Sequence, residues 1–529
     1  MIKSKFKFKP KDKKLRTVLG DIPHDSNEAM ALLDMTLAEH IADYDDPHGA
    51  TLEQSDFVAK KPWCDVRAFG ATGDGTTDDT TAIQDAIDSL TDAGIVFLPE
   101  GTYKITSAIQ LDDSILLKGV GGSTLITSTG NHDLIVANNK TKAGVEFLAL
   151  SGGDDGITIY GGSSQCFVRN VFVGAVGNNG IFLNDAKNCQ VRGNIVNSPS
   201  KNGIYIYGTT DPALGSDENN VIGNLILSPG NKGISVFNNS ERNRIIGNYL
   251  YHTGEAGIFL NDTSSSYHSN YNSVIGNTVY RSGATEDSGG NGIEFGAEQV
   301  GAICKGNFVI EAGYGRAGEA LPSMYGISVH GKHIIVQGNY VLSALYHGIY
   351  LYEASFVVCT GNIVINSSQD SAGNYDGIRV HSSSGEARRI IIDHNICLDN
   401  QGTPRQAYGI RVTGSNTSYV LIGDHNITYG NATGHISNLT ATSFADGDTT
   451  PSIANGRVFK VNYSSSTTIT DFDDGYNGQI ICLAFTNANV TVQDGGNFQL
   501  NGNFYSTAGD TLMLMMVDGV WKELSRSAN

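Results

Sequence analysis

No stretch of the 529 residues approaches the ~20 consecutive apolar residues of a membrane helix, so no membrane insertion is expected. Proline is scarce, at 11, which excludes proline-rich linkers and a collagen-like chain. The cysteines, at 64, 166, 189, 304, 359, 397 and 482, are odd in number, scattered and without a CxxC pair. That pattern excludes a disulfide framework and a zinc site of the usual cysteine kind. Most lie in apolar segments such as Gln165-Cys166-Phe167-Val168, where a thiol acts as a small core residue, and folding in a reducing cytoplasm fits. Nucleophile elbow, phosphate loop and HExxH motif are all missing. Glycine, by contrast, is abundant: 64 residues, about 12% against a typical ~7%. Glycine without proline implies many tight turns between strands, and a hydrophobic share of 40% excludes global disorder.

Charge is unevenly placed. Residues 1–16 carry seven Lys, one Arg and one Asp, a local net of +7, whereas the remainder holds 27 basic and 53 acidic side chains, a net of −26. An acidic body of that size argues against nucleic acid as partner. The basic start lacks a following apolar run, so a signal peptide is not expected; a docking peptide and a solvated tail both remain open.

A repeat sets the architecture. Gly-Ile recurs with its glycine at 156, 180, 203, 233, 257, 292, 326, 348, 377 and 409. It alternates with an Asn that opens the next apolar run, at 170, 194, 224, 248, 277, 307, 339, 362, 395 and 426, seven of them preceded by Gly. The mean period is about 28 residues. Each Gly-Ile begins a pattern of alternating apolar and variable residues (GIFLN, GIYIY, GIYLY), the signature of a half-buried strand. Short strands at such a period indicate a solenoid, a parallel β-helix whose coils stack at about 4.8 Å. The recurrent Asn is expected to form a structural ladder of amides in an αL turn.

The stretch ahead of the coils, FGATGDGTTDDTTAIQDAID followed by VFLPEGTYKI, resembles the opening of the pectate-lyase superfamily β-helix found in many phage tailspikes. Its residues 79–91 are read as a helix, with Asp74, Asp78 and Asp79 capping it and bracing the loop. The resemblance implies an all-β fold: a right-handed parallel β-helix solenoid with a short N-terminal helical neck and a C-terminal antiparallel β-sandwich. The organisation expected is 1–62 basic docking segment and neck, 63–125 opening and capping region, 126–450 about ten coils, and 451–529 sandwich. In the neck, Met30, Leu33, Leu37, Ile41 and Tyr44 make one apolar seam, suited to a parallel trimer. The following Asp46-Pro47-His48-Gly49-Ala50-Thr51 resembles a motif of phage tail-fibre proteins; His40 and His48 are read as turn-forming polar residues rather than metal ligands. No cofactor or metal is expected. Implied partners are a host surface polysaccharide, two further copies in a homotrimer, and a phage tail or baseplate at the N-terminal segment. The implied location is the virion tail, after assembly in the host cytoplasm.

Outward positions of the Gly-Ile strands form two columns, and aromatic residues recur in them: Tyr205, Phe259 and Tyr350 in the first, Tyr207, Phe237 and Tyr352 in the second. Exposed rings repeated along one face suit sugar stacking or a subunit contact. Connections from the Asn mark to the next Gly-Ile are 9 or 10 residues in the early coils, but 19 before Gly326 and 15 before Gly377, flanking one of 9 before Gly348. Walls around a floor at Tyr350, Tyr352 and Glu353 are expected. Titratable residues gather there: Glu294, His330, Glu353, Asp376, Arg379 and His381. Hydrolysis needs two carboxyls ~5–5.5 or ~6.5–9.5 Å apart, and one or two rungs of stacking reach those ranges, so Glu353 with Asp376 is the expected pair. β-Elimination instead needs a base and a cation for a uronate carboxylate, for which Arg379, His381 and Tyr352 serve. The expectation is a depolymerase, hydrolysing rather than eliminating. A non-cleaving receptor-binding appendage and a secreted bacterial lyase are the alternatives.

Overall fold

The computed structural model describes residues 63–209, 214–263, 269–284, 289–314, 323–437, 444–453 and 458–527. The basic segment and helical neck expected within 1–62 lie outside them.

Three parallel sheets run side by side through one solenoid. Sheet one starts at Trp63–Asp65 and sheet two at Asp74–Asp78, each with 14 strands; sheet three starts at Ile109–Gln110 and has 13. The solenoid thus has more rungs than the ten marked by Gly-Ile, because the first two strands of sheet three and its last strand, Gly434–Ser437, carry no such dipeptide. Its opening matches the VFLPEGTYK segment as strand, turn, strand, at Gly94–Phe97 and Gly101–Lys104. The helix is α1, Thr80–Asp88, shorter than the expected 79–91, with Ile83, Ala86 and Ile87 buried against the first coils. Asp79 does brace the loop, accepting from the N–H groups of Thr72 (2.7 Å) and Gly73 (3.0 Å). It makes no side-chain cap; Asp78 accepts from the Thr80 N–H instead, at 3.0 Å.

Inward positions are filled by Ile, Val and Leu, which form one continuous core from Val66 to Val420. Cys166, Cys189, Cys304, Cys359 and Cys397 are buried and unbridged. The Gly-Ile strands pair in parallel without a register shift, so that Ile181, Ile204, Ile234 and Ile258 stack directly over one another.

Two features hold that register. First, the Asn side chains form a buried chain: Asn248 donates to Asn277 (2.9 Å), Asn277 to Asn307 (3.0 Å) and Asn307 to Asn339 (2.9 Å). Each also donates to a backbone carbonyl across the turn, as Asn277 does to Ile245 at 2.9 Å. The αL geometry expected of these Asn belongs to the residue before them, Gly276 (φ +63°) for instance. Asn170 is displaced by one: it occupies that αL position (φ +52°), and Val171 stands in the ladder's place, giving its N–H to Asn194 at 3.0 Å. Second, the glycine of Gly-Ile is required by close approach rather than by φ. A Cβ on Gly257 would meet Val279 at 2.3 Å and the carbonyl oxygen of Gly292 at 2.6 Å.

The C-terminal part has its own core around Phe459, Phe472, Leu483, Phe504 and Trp521. It comprises a five-stranded and a three-stranded sheet. Ile480–Phe485, Thr511–Val517 and Val520–Ser527 pair antiparallel as expected, but Val458–Val461 joins the larger sheet in parallel, making it mixed.

The two kinds of glycine separate by experiment. Gly257→Ala forces a side chain into backbone and should cost at least about 1–3 kcal/mol. Gly276→Asn keeps an αL-tolerant residue in open space, as Asn170 does, and should cost far less. Urea unfolding midpoints check the order; equal midpoints contradict it.

Candidate functional site

The outward columns of sheet three carry two groups of rings. The upstream group is a stacked ladder: Phe182 on Tyr205 (centroids 5.1 Å apart), Tyr205 beside Tyr207 (5.7 Å), Tyr207 on Phe237 (6.4 Å) and Phe237 on Phe259 (6.3 Å). All are half-buried, and Lys232 caps the run 4.9 Å from the Phe259 ring. Loss of water around Tyr205 pushes its phenol up to about 12.

The downstream group mixes rings with charge. Tyr350 lies 5.5 Å from Tyr352 and 6.5 Å from both His330 and His381; His330 and His381 flank Tyr352 at 5.1 and 5.8 Å. Tyr325 covers Tyr350 at 4.4 Å, leaving Tyr350 only 9% exposed, with its phenol pushed up to about 12 by burial. Burial also lowers both histidines; Glu353 opposes the shift at His330, and Arg379 adds to it at His381. Both are therefore neutral near pH 7, as a proton acceptor must be. His330 Nε2 pairs with Ser328 Oγ at 3.0 Å and His381 Nδ1 with Thr413 Oγ1 at 2.9 Å.

Asp376 sits at the entrance of the next strand with its side chain fully enclosed. Arg379 donates to its Oδ2 at 3.2 Å and the Tyr408 N–H to its Oδ1 at 3.2 Å. Its own N–H donates to Nδ1 of His347 at 2.8 Å, which leaves the imidazole proton on Nε2. Desolvation pushes the carboxyl up to about 6 despite the opposing charges of Arg379 and Arg411. The Arg379 Nε–H is buried and has no acceptor among the described residues.

Glu353 is in the opposite state. Its Oε1 accepts from the N–H groups of Ser384 and Gly385, both at 2.8 Å, and from Ser383 Oγ at 2.8 Å. The backbone donors of Gly385 and Ser384 hold it down at about 2. It is a permanent anion bracing the 383–385 turn.

The structure does not bring Glu353 and Asp376 together. Glu353 aligns with Ser382, since its N–H pairs with the His381 carbonyl, and Ser382 is six residues of extended chain beyond Asp376. At ~3.3 Å per residue that is about 20 Å, outside either hydrolase range. Their unequal acidities follow from different surroundings, burial at one and backbone donors at the other. Glu294, raised by burial and bonded by Asn291 at 2.6 Å, lies three rungs before Arg379, about 14 Å away.

Sequence reasoning missed His347, Tyr325 and Asn291. All occupy one further column, the residue before each Gly-Ile. It begins as an amide ladder, Asn202 to Asn179 to Asp155 (2.9 Å each), and continues through Asn291, Tyr325, His347 and Asp376. That polar column was visible in the repeat. The wall before Gly377 is fixed by Arg405, whose Nη2 donates to the Gln369 carbonyl at 2.8 Å, and by Tyr375 stacked on Tyr346 at 4.2 Å. Upstream Asp185 and Asp262 are occupied by loop donors, Thr209 N–H (2.7 Å) and Ser269 Oγ (2.6 Å) respectively.

Fold and face together define a right-handed parallel β-solenoid with a ring-lined surface that turns charged at its C-terminal rungs. Residues 63–285 match the family model described as rhamnogalacturonase A/epimerase, pectate lyase-like. Over that stretch the chain is similar to the pectate-lyase-like model, as the resemblance of its opening motif implied; the match covers the stacked ring ladder and stops before Glu294, Asp376 and Arg379. Alginate lyase 7 of Azotobacter vinelandii is 38% identical over 73 residues, 13% of this chain and 8% of that protein. Rhamnogalacturonase A of Aspergillus niger is 28% identical over 93 residues, 16% of this chain and 21% of that protein. The chain thus aligns with only a small part of these relatives' length. The solved structure of the pre-mature bacteriophage phi29 gene product 12 shares the fold, with a TM-score of 0.52 at 13% identity over 80% of this chain and 66% of that one.

The raised Asp376 has a signed consequence. The folded chain holds that proton up to about pH 6, the unfolded chain only to ~3.9, so between those values folding takes up a proton. This group therefore makes stability fall as pH rises from about 4 to 6, by on the order of 2–3 kcal/mol. Asp376→Asn should remove that part of the slope, measured by denaturant unfolding at pH 4 and pH 7; an unchanged slope contradicts the assignment.

Proposed function

We propose that the protein is a phage tailspike-like receptor-binding protein that binds a host surface polysaccharide along sheet three and cleaves it at the His330–Tyr350–Arg379–His381 group. The observation that carries this reading is the order of groups along one face: a stacked run of rings ends at Phe259 and, after one rung that carries Glu294 and Gly296, is followed by neutral histidines and a positioned guanidinium. Rings in such a run offer flat faces to successive sugars, and neighbouring Asn and Lys side chains suit hydroxyls and acid groups.

Within that reading the chemistry favoured is β-elimination, a change from the hydrolysis expected of a Glu353–Asp376 pair. What supports it is the separation of the carboxyls together with the presence of both parts elimination needs. Arg379, steadied by Asp376, neutralises a uronate carboxylate and acidifies the adjacent C–H. His381, neutral and half-buried two residues further along the same strand, accepts the C5 proton while the C4–C5 double bond forms and the C4–O bond to the leaving sugar breaks, the departing oxygen taking a proton from solvent. Asp376 touches no substrate in this scheme; it is a positioning residue. A second reading, a non-cleaving receptor binder, draws on the upstream ladder, which stacks five rings without an acid–base pair among them.

Incubation with a panel of acidic surface polysaccharides tests both. Cleavage with unsaturated, ultraviolet-absorbing ends is expected, falling ~10²-fold or more in Arg379→Ala and His381→Ala with sugar binding retained in His381→Ala. New reducing ends without absorbance return the assignment to hydrolysis. Tight binding with unchanged chain length leaves the binder.

The proposed assembly is a homotrimer held to a phage tail by the N-terminal segment, within the virion. Sheet two supports a contact between copies: one outward column carries Phe172, Ile195, Tyr249, Phe308 and Ile427, in register and 38–57% exposed. Light scattering should give three times 56.2 kDa, and Phe308→Glu with Tyr249→Glu should lower that mass. A monomer for the native chain removes the trimer.

A further inference from the structure

The last two rungs repeat a tetrapeptide, Asp393-His394-Asn395-Ile396 and Asp424-His425-Asn426-Ile427, in the turn between sheets one and two. Both Asn belong to the amide ladder, Asn395 donating to Asn426 at 3.0 Å, so the two turns lie one above the other. In earlier rungs the residue before the Asn is glycine, as at Gly338 (φ +63°) and Gly361 (φ +66°). His394 takes the same left-handed backbone, at φ +56°, where a side chain is disfavoured. Its ring then stacks on that of His425, centroids 4.4 Å apart and 14° from parallel.

Asp393 joins the two. Its Oδ1 accepts from the N–H groups of His394 (2.9 Å) and His425 (3.3 Å), which fixes the carboxylate across both turns. Its Oδ2 faces both rings, 3.1 Å from Nδ1 of His394 and 3.4 Å from Nδ1 of His425. The three ligand atoms lie within 4.8 Å of one another. Bonds of ~2.0–2.2 Å from one zinc-like ion to N and O ligands place neighbouring ligand atoms roughly 3.0–3.5 Å apart. The observed N–O separations already have that size.

We propose that Asp393, His394 and His425 bind one divalent transition-metal ion of the zinc type, with water completing the coordination, and that the ion clips the last two rungs together. Two imidazoles with one carboxylate select zinc, cobalt or nickel over calcium and magnesium, which take oxygen ligands. The histidines are 61% and 69% exposed, so the ion reaches them directly from solvent. No cysteine-type motif announces this site, because its ligands come from two turns 31 residues apart. The inference is independent of the chemistry proposed on sheet three.

The test uses the full chain, stripped with chelator and titrated calorimetrically with zinc chloride, and with calcium chloride as control. Cobalt(II) absorbance reports nitrogen ligation. One zinc per chain, no matching calcium event, and a rise in the melting temperature with zinc are expected. His394→Gly restores the residue that earlier turns carry, and His425→Gln alters an exposed side chain, so both should fold normally. Each should weaken that zinc equivalent at least about tenfold and abolish the cobalt spectrum. Failure of the native chain to bind zinc, or unchanged binding in both variants, overturns the proposal.

Discussion

Register is the constraint on which everything else in this solenoid depends. A coil cannot bury its apolar face alone, and a slip of one residue exchanges its inner and outer side chains. The Asn ladder prevents that slip at each turn, because every buried amide uses its donor and acceptor on its neighbours. The glycines of Gly-Ile set the approach of one rung to the next at the other end of the connection. With both ends fixed, length variation is pushed outward into loops. The connections before Gly326 and Gly377 lengthen without disturbing Ile327 over Ile349 or Ile349 over Ile378.

Fixed register converts a one-dimensional sequence into columns, and columns are where chemistry accumulates. Phe182 under Tyr205, Tyr207 under Phe237 and Arg379 under Arg411 follow from parallel pairing alone. The same logic places His425 over His394. On a chain of net charge −19, the positive groups at Lys232, Arg379 and Arg411 stand on the face that carries the rings. The acidic body repels an anionic polymer at distance, and screening over ~10 Å at moderate salt leaves these side chains to act locally.

Most of the fold was legible because its signal is periodic. Gly-Ile and Asn alternate ten times, and the inward Ile, Val and Leu follow from alternation. Asn170 was misplaced by one residue because Asn suits both the ladder and the αL turn; only the hydrogen bond of Val171 to Asn194 distinguishes them. The site was legible as a neighbourhood and not as a geometry. Reading Glu353 and Asp376 as a pair used rung spacing and neglected position along the strand, which adds about 20 Å between them. His347 escaped notice because the column before Gly-Ile looks like turn polarity in its first rungs, where Asp155, Asn179 and Asn202 bond to one another and to the backbone of the next turn.

Glu353 shows how the same residue type serves opposite ends in one site. A carboxylate with several donors on one oxygen is stabilised as an anion and makes a poor acid. Its gain is mechanical: it draws the 383–385 turn toward Tyr352, whose hydroxyl meets Ser383. Asp376 has few donors and is fully enclosed, so its charge depends on Arg379 and Arg411, and the Arg379 guanidinium is correspondingly tied to it. Two carboxyls on adjacent rungs therefore hold the two borders of the face, one by surplus hydrogen bonding and one by dependence on neighbouring guanidinium groups. The rings and histidines between them are positioned from both sides, which is what a face built on rigid strands needs if a flexible polymer is to meet a fixed geometry.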